Sequence, residues 1–224
     1  MFLSIAGVIL GAVIAIFTTI TVENLRKPRL SLQIAPHGDM NYQDRPAKQA
    51  RFLLVQVLNN PLPKWARWMT RNPATRCHGT ITFHHLDGQD YYGRSMQVRW
   101  SSSPEPSPLL ITLPDKILSI YNPSNLTTRM DIQPGESETI GIAAKFDDDE
   151  HCYGWCNDNY FSKPVWRNPD WSLPSGRYLV KVTIISSGDK ASEVFRLIND
   201  VVRTDFRLEP KMATDAIYHL THPR

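Results

Sequence analysis

Residues Phe2 to Val22 read FLSIAGVILGAVIAIFTTITV and contain no charged side chain. A helix needs about 20 consecutive apolar residues to cross the hydrocarbon core of a bilayer, and this run supplies them. Ala6, Gly7, Gly11, Ala12 and Ala15 are small residues of the kind that let membrane helices approach one another closely. A cleaved signal peptide would place a basic residue before a shorter apolar run and end it in small residues. Here no Lys or Arg precedes the run, and TTITVENL offers no such end. Residues 1–24 therefore read as an uncleaved anchor that meets lipid through residues 2–22. Arg26, Lys27 and Arg29 follow it. Positive flanks stay in the cytoplasm, so the rest of the chain is expected on the cytoplasmic side, as a single-pass protein.

Beyond the anchor the periodicity changes to two. Arg29–Ala35, Arg51–Asn59, Thr75–Phe83, Ser95–Trp100, Glu136–Phe146, Gly176–Ile185 and Glu193–Asn199 alternate apolar and polar residues between Gly, Pro, Asn and Asp. Such runs are strands. Arg51–Asn59 is unusual in being apolar on both faces, with Leu53, Val55 and Val57 on one and Phe52, Leu54 and Leu58 on the other. No long amphipathic helix separates the seven runs. The expected fold is mainly β: an antiparallel sandwich of about seven strands over residues 25–208, with residues 209–224 as a tail, either a short helix or disordered. The net charge of +3 comes from scattered Lys and Arg, which argues against a nucleic-acid partner.

LPSGRYLVKVTII resembles the penultimate strand of immunoglobulin-like and fibronectin-like domains, where a turn glycine precedes a tyrosine. LVQVLNNP followed by ATRCHGTITF resembles the paired second and third strands of the same domains. The resemblance implies an immunoglobulin-like sandwich over roughly residues 29–208, without the disulfide of antibody domains. It implies no activity.

Alternating strand directions place the connections between the second and third, fourth and fifth, and sixth and seventh strands at the anchor end. The first of these holds Lys64, Trp65, Arg67, Trp68 and Arg71, a basic and aromatic set suited to lipid headgroups or a partner. The preferred expectation is plainer: both tryptophans close the end of the core. Asn125 begins an NLT sequence, which carries meaning only outside the cytoplasm.

The longest connection, Asp147–Ser175, lies at the far end and includes EHCYGWCNDNY. Its Asp147–Glu150 run is expected to be a solvated strand end. Cys152 and Cys156 are spaced as in the binuclear copper domain of an oxidase subunit, which the segment resembles, but the histidine that motif requires four residues on is Tyr160 here. Zinc needs four N or S donors, and His84, His85, His151, Cys152 and Cys156 all fall at this end. A disulfide between Cys152 and Cys156 requires an oxidising compartment, which the charge rule opposes. Cys77 reads as a small core residue.

No nucleophile elbow, phosphate loop or paired-histidine helix appears, so no enzymatic activity and no cofactor are expected. The leading expectation is an anchored interaction module for an unidentified protein partner, met by a loop carrying Tyr153, Trp155 and Tyr160. The alternatives are a metal- or redox-dependent module using His151, Cys152 and Cys156, and an extracytoplasmic ligand- or glycan-binding module that stacks its ligand on tryptophan.

Overall fold

The computed structural model of the chain describes residues 2–42, 45–66, 68–105, 108–113, 116–121 and 127–212. Arg67, Asn125 and the tail from 213 onward lie outside them. The first element, α1 (Phe2–Arg26), is a 25-residue helix. At 1.5 Å per residue it is roughly 37 Å long, more than a bilayer core. Its apolar side chains from Ile9 to Ile20 are exposed and touch no other element's core. Thr18, Thr19 and Thr21 donate back to the carbonyls of Ile14, Ala15 and Phe17, so these hydroxyls need no outside partner. The helix is long and apolar enough to cross a membrane.

The remainder is mainly β. The strands are β1 (Leu30–Ile34), β2 (Gly38–Tyr42), β3 (Arg45–Asn59), β4 (Ala74–His84), β5 (Met96–Gln97), β6 (Arg99–Trp100), β7 (Pro108–Leu113) and β8 (Lys116–Tyr121). They continue with β9 (Met130–Ile132), β10 (Ser137–Phe146), β11 (Cys152–Gly154), β12 (Ser172–Leu173), β13 (Gly176–Ile185), β14 (Lys190–Asn199) and β15 (Arg207–Pro210). One antiparallel sheet runs β1-β3-β10-β11-β12, with β2 on β3 and β6 on β10. The other runs β15-β14-β13-β4-β5, with β9 on β4. β7 and β8 form a separate hairpin. Residues from both sheets share one core, including Val55, Val57, Ile140 and Ile142 from the first and Ile81, Phe83, Val180, Val182 and Leu197 from the second.

The long alternating runs all form strands, because each offers one wholly apolar face to the facing sheet. The run Ser95–Trp100 differs from expectation. It is not one strand: β5 pairs with β4 in one sheet and β6 pairs with β10 in the other, with buried Val98 at the crossing. The segment behaves as a strut between layers, which a period of two cannot reveal. The expected loop Asp147–Ser175 also contributes β11 and β12 to the edge of the first sheet.

Two buried amides tie the ends together. Asn59 is fully buried. Its Oδ1 accepts from the Arg29 backbone at 3.2 Å, and its Nδ2 donates to the carbonyls of Asn72 and Ile132. Nearby, the Asn72 amide donates to the Arg26 carbonyl at 2.7 Å, Asp189 accepts from the Leu30 amide, and the Ser187 amide donates to Thr75. The β3–β4 connection and the β13–β14 turn therefore sit at the end that carries α1, where alternating strand directions put them. At the other end, buried Lys145 donates to the Glu150 carbonyl and to Asn199 Oδ1, while Asn199 Nδ2 donates to Leu173 and Pro174. Burial pushes the Lys145 ammonium below its ordinary pKa.

Asn59→Ala takes this partner from the buried Ile132 carbonyl and from the part-buried Arg29 amide and Asn72 carbonyl. It is expected to lower stability by about 3 kcal/mol, read as the shift in a urea unfolding curve of the full chain in detergent.

Candidate functional site

The outer face of the first sheet explains why β3 is apolar on both sides. A second cluster covers it: Ala50, Ala144, Phe146, Tyr153 and Trp155 are buried there, with Phe52, Tyr160 and Trp166 packed against them. Its geometry begins in β10, where the register on β3 shifts between Gly141 and Ala143. The bulge turns Ile142 and Ala143 toward the core and leaves Gly141 beneath an indole. A Cβ on Gly141 would stand 2.3 Å from Trp155 Cδ1, so only glycine lets Trp155 lie flat on the sheet.

The chain after β11 builds the rest. The Trp155 amide extends the ladder by donating to Ile142. Cys156 then begins a short 3-10 turn, Asn157–Tyr160, and buried Asn159 organises it. Asn159 Oδ1 accepts from the Cys156 amide at 3.0 Å and from its Sγ at 3.1 Å. Asn159 Nδ2 donates to the Trp166 carbonyl, and the Trp166 amide donates to the Asn159 carbonyl at 2.7 Å. These two bonds hold Trp166 at φ +71°, a left-handed conformation that costs energy for a bulky residue.

The rings meet edge-on. Centroids lie 4.7 Å apart for Phe52 and Trp155, 6.0 Å for Trp155 and Trp166, and 5.4 Å for Trp155 and Tyr160. Together with Met40, Leu54 and Glu105 they line a pocket of about 270 Å³. Arg99 forms its cationic wall. This buried guanidinium stacks 4.6 Å from the Tyr160 ring and donates to Asn157 Oδ1 at 2.6 Å and to the Ser103 carbonyl at 3.0 Å. Burial raises the Tyr160 hydroxyl pKa, keeping the ring neutral. The pocket can grip an apolar group, with Ser101, Ser103 and Glu105 adding polar atoms to its rim.

Beside it, the acidic run is a strand end, with Asp147, Asp148 and Glu150 exposed just after β10, and its aspartates also form an ion-pair hub. Asp147 pairs with Arg203, Asp148 with Arg167 and Lys48, and Asp149 with Arg167. Asp39 joins through Arg51 at 2.8 Å and Arg203 at 3.0 Å. The Arg51 hydrogen bonds hold the Asp39 carboxyl down to about 2, against the opposing effect of burial.

The segment EHCYGWCNDNY is mostly interior. Tyr153 and Trp155 are buried, and Tyr160 is half-buried. Cys77, Cys152 and Cys156 are buried free thiols, and burial pushes the latter two up to about 12. His84 is buried with Nε2 at 2.8 Å from the Thr82 hydroxyl, His85 stacks on Tyr91, and His151 faces solvent beside Asp149. Among the described residues, no three His, Cys, Asp or Glu side chains converge as metal ligands.

At the α1 end the expectation for the tryptophans fails. Trp65 and Trp68 do not close the core; they are 69% and 75% exposed. Lys64–Ala66 form a 3-10 turn anchored by buried Ala66, which turns the indoles outward. Arg71, expected on the surface, is buried instead and donates through Nη1 to the Lys27 carbonyl. Exposure here depends on which small residue the turn buries, and the residue types do not state it.

No family model matches the chain, and comparison with curated proteins and with solved structures finds no significant match.

Gly141→Ala is expected to push Trp155 off the sheet, lower stability by about 2 kcal/mol and weaken the near-UV circular dichroism of the aromatic cluster. The lowered Asp39 pKa adds stability that is present above the unfolded value of 3.8 and lost as pH falls through about 2. Asp39→Asn is therefore expected to be less stable than wild type at neutral pH, with the gap closing between those two values in acid titrations of unfolding.

Proposed function

We propose that the chain is a single-pass membrane protein whose cytoplasmic, immunoglobulin-like sandwich is a non-catalytic interaction module, and that a protein partner docks at the aromatic pocket. The observation that carries this reading is the pocket itself: Trp166 is held in a costly backbone conformation so that four aromatic rings frame one cavity. Its volume of about 270 Å³ lies near the small end of ligand pockets and suits one or two side chains of a partner. An extended partner segment that inserts an apolar side chain between Phe52 and Trp166, with its polar backbone toward Arg99 and Glu105, fits that size and rim.

Three features support the immunoglobulin-like assignment. The order β1-β3-β10 against β4-β13-β14 follows the A-B-E and C-F-G pattern of such sandwiches. Gly176 opens β13 just before Tyr178. The Tyr178 hydroxyl donates to the Pro174 carbonyl at 2.9 Å, as the tyrosine of a tyrosine corner does. The flanking residues Arg26, Lys27 and Arg29 support the cytoplasmic orientation. Glycan stacking finds less support. It needs an open indole face, and Trp155 and Trp171 are buried and packed edge-to-face against neighbouring rings.

A photo-crosslinking residue at exposed Met40, on the pocket wall, tests the reading in native membranes. The expected result is one discrete protein adduct, lost in Trp166→Ala and retained in Val201→Ala. No adduct, or an adduct indifferent to Trp166→Ala, overturns it.

A further inference from the structure

The second large cavity lies at the α1 end, under the β3–β4 connection. It measures about 750 Å³, and Pro61, Leu62, Met69 and Pro134 give it apolar walls. Lys64 and Arg71 are its charged lining residues. Arg71 is only 9% exposed, yet its buried Nε makes no hydrogen bond to any described residue. That Nε is closed to solvent, so Arg71 meets the cavity through its other guanidinium N–H groups. Arg29 adds positive potential at the same place: burial first, and then its nearby charge, lower the Arg71 pKa. Asp189, held by the Leu30 amide, opposes both effects with its negative charge, and Glu23 lies beside Arg26.

Position narrows what can occupy the cavity. Asn72 follows Arg71 directly and donates to the carbonyl of Arg26, the last residue of α1. Arg71 itself donates to Lys27. The cavity is thus fastened to the end of the helix that is long and apolar enough to cross a membrane. Exposed Trp65 and Trp68 flank it. Indoles favour the headgroup layer, where one edge meets water and the other lipid.

We propose that this cavity binds the headgroup phosphate of an anionic phospholipid in the leaflet where α1 ends. Arg71 and Lys64 take the phosphate oxygens, Leu62 and Met69 meet the glycerol and upper acyl chain, and Trp65 and Trp68 sit in the interface. The bound phosphate supplies acceptors to Arg71 and Lys64 and fixes the tilt of the sandwich on the membrane. This rests on α1 being a membrane anchor.

The test uses the full chain in nanodiscs of phosphatidylcholine mixed with phosphatidylserine. Native mass spectrometry of the released complexes counts retained lipid of each kind. Quenching by brominated phosphatidylcholine reports indole depth. The expected result is several-fold enrichment of phosphatidylserine over its share of the disc, reduced at least three-fold in both Arg71→Gln and Lys64→Gln. Bromolipid quenching should fall markedly in Trp65→Phe/Trp68→Phe. Lys64 is exposed, so Lys64→Gln keeps the test decisive should Arg71→Gln fail to fold. Retention of the two lipids in proportion to their supply, or enrichment unchanged in Lys64→Gln, overturns the proposal. A chain that does not enter the disc removes the anchor reading and this proposal together. A chain that enters without lipid selectivity removes this proposal alone.

Discussion

The amide of Asn59 joins four segments far apart in sequence: the linker at Arg29, the end of β3, the β3–β4 connection at Asn72, and β9 at Ile132. Each of these backbone groups is bonded by the Asn59 amide, and water cannot reach a fully buried side chain. Without the amide, the two sheets would still share apolar surfaces, but the α1 end would carry unpaired polar groups. The cost of leaving such groups unpaired exceeds the modest net gain of making the bonds, so the arrangement specifies one geometry more than it adds stability. Because Asn72 then reaches Arg26, the same network sets where the sandwich stands relative to the end of α1.

Lys145 and Asn199 play the matching part at the far end, where the chain leaves β10, adds β11 and β12, and returns into β13. Between these two hubs, the first sheet is covered on both faces. One face is the common core. The other is the aromatic cluster, held by the bulge at Gly141 and by Asn159 beneath Trp166. A sheet that buries both faces needs cover from outside the sandwich, and the long β10–β13 excursion is that cover. The pocket lies where this cover meets Arg99.

Much of this was legible in residue types. The alternating runs became β1, β3, β4, β10, β13 and β14, since alternation over many residues has one good burial solution. Even the second cluster left a trace in the apolar outer face of Phe52, Leu54 and Leu58. The shorter pieces β9, β11, β12 and β15 left none, because so few residues carry too little pattern to separate strand from loop, and β2, GDMNY, lacks the apolar alternation that marked β1. The division of Ser95–Trp100 between sheets was hidden for a different reason: Met96, Val98 and Trp100 all point inward, and nothing in that alternation says that Met96 and Trp100 belong to opposite sheets. The binding candidates were harder still. Arg99 was read only as a polar position in a strand, and its burial against Tyr160 depends on a loop nearly sixty residues away.

The apolar run of α1, the mainly β character and the antiparallel pairing of the long strands follow from the sequence, because each depends on local composition and periodicity. The exposure of Trp65 and Trp68, the burial of Arg71 beside a cavity, the ion-pair hub around Asp147–Asp149 and the aromatic pocket were decided only in three dimensions. Each is a property of space between segments distant along the chain. Burial there is set by what packs opposite, and a residue's own neighbours in sequence do not determine it.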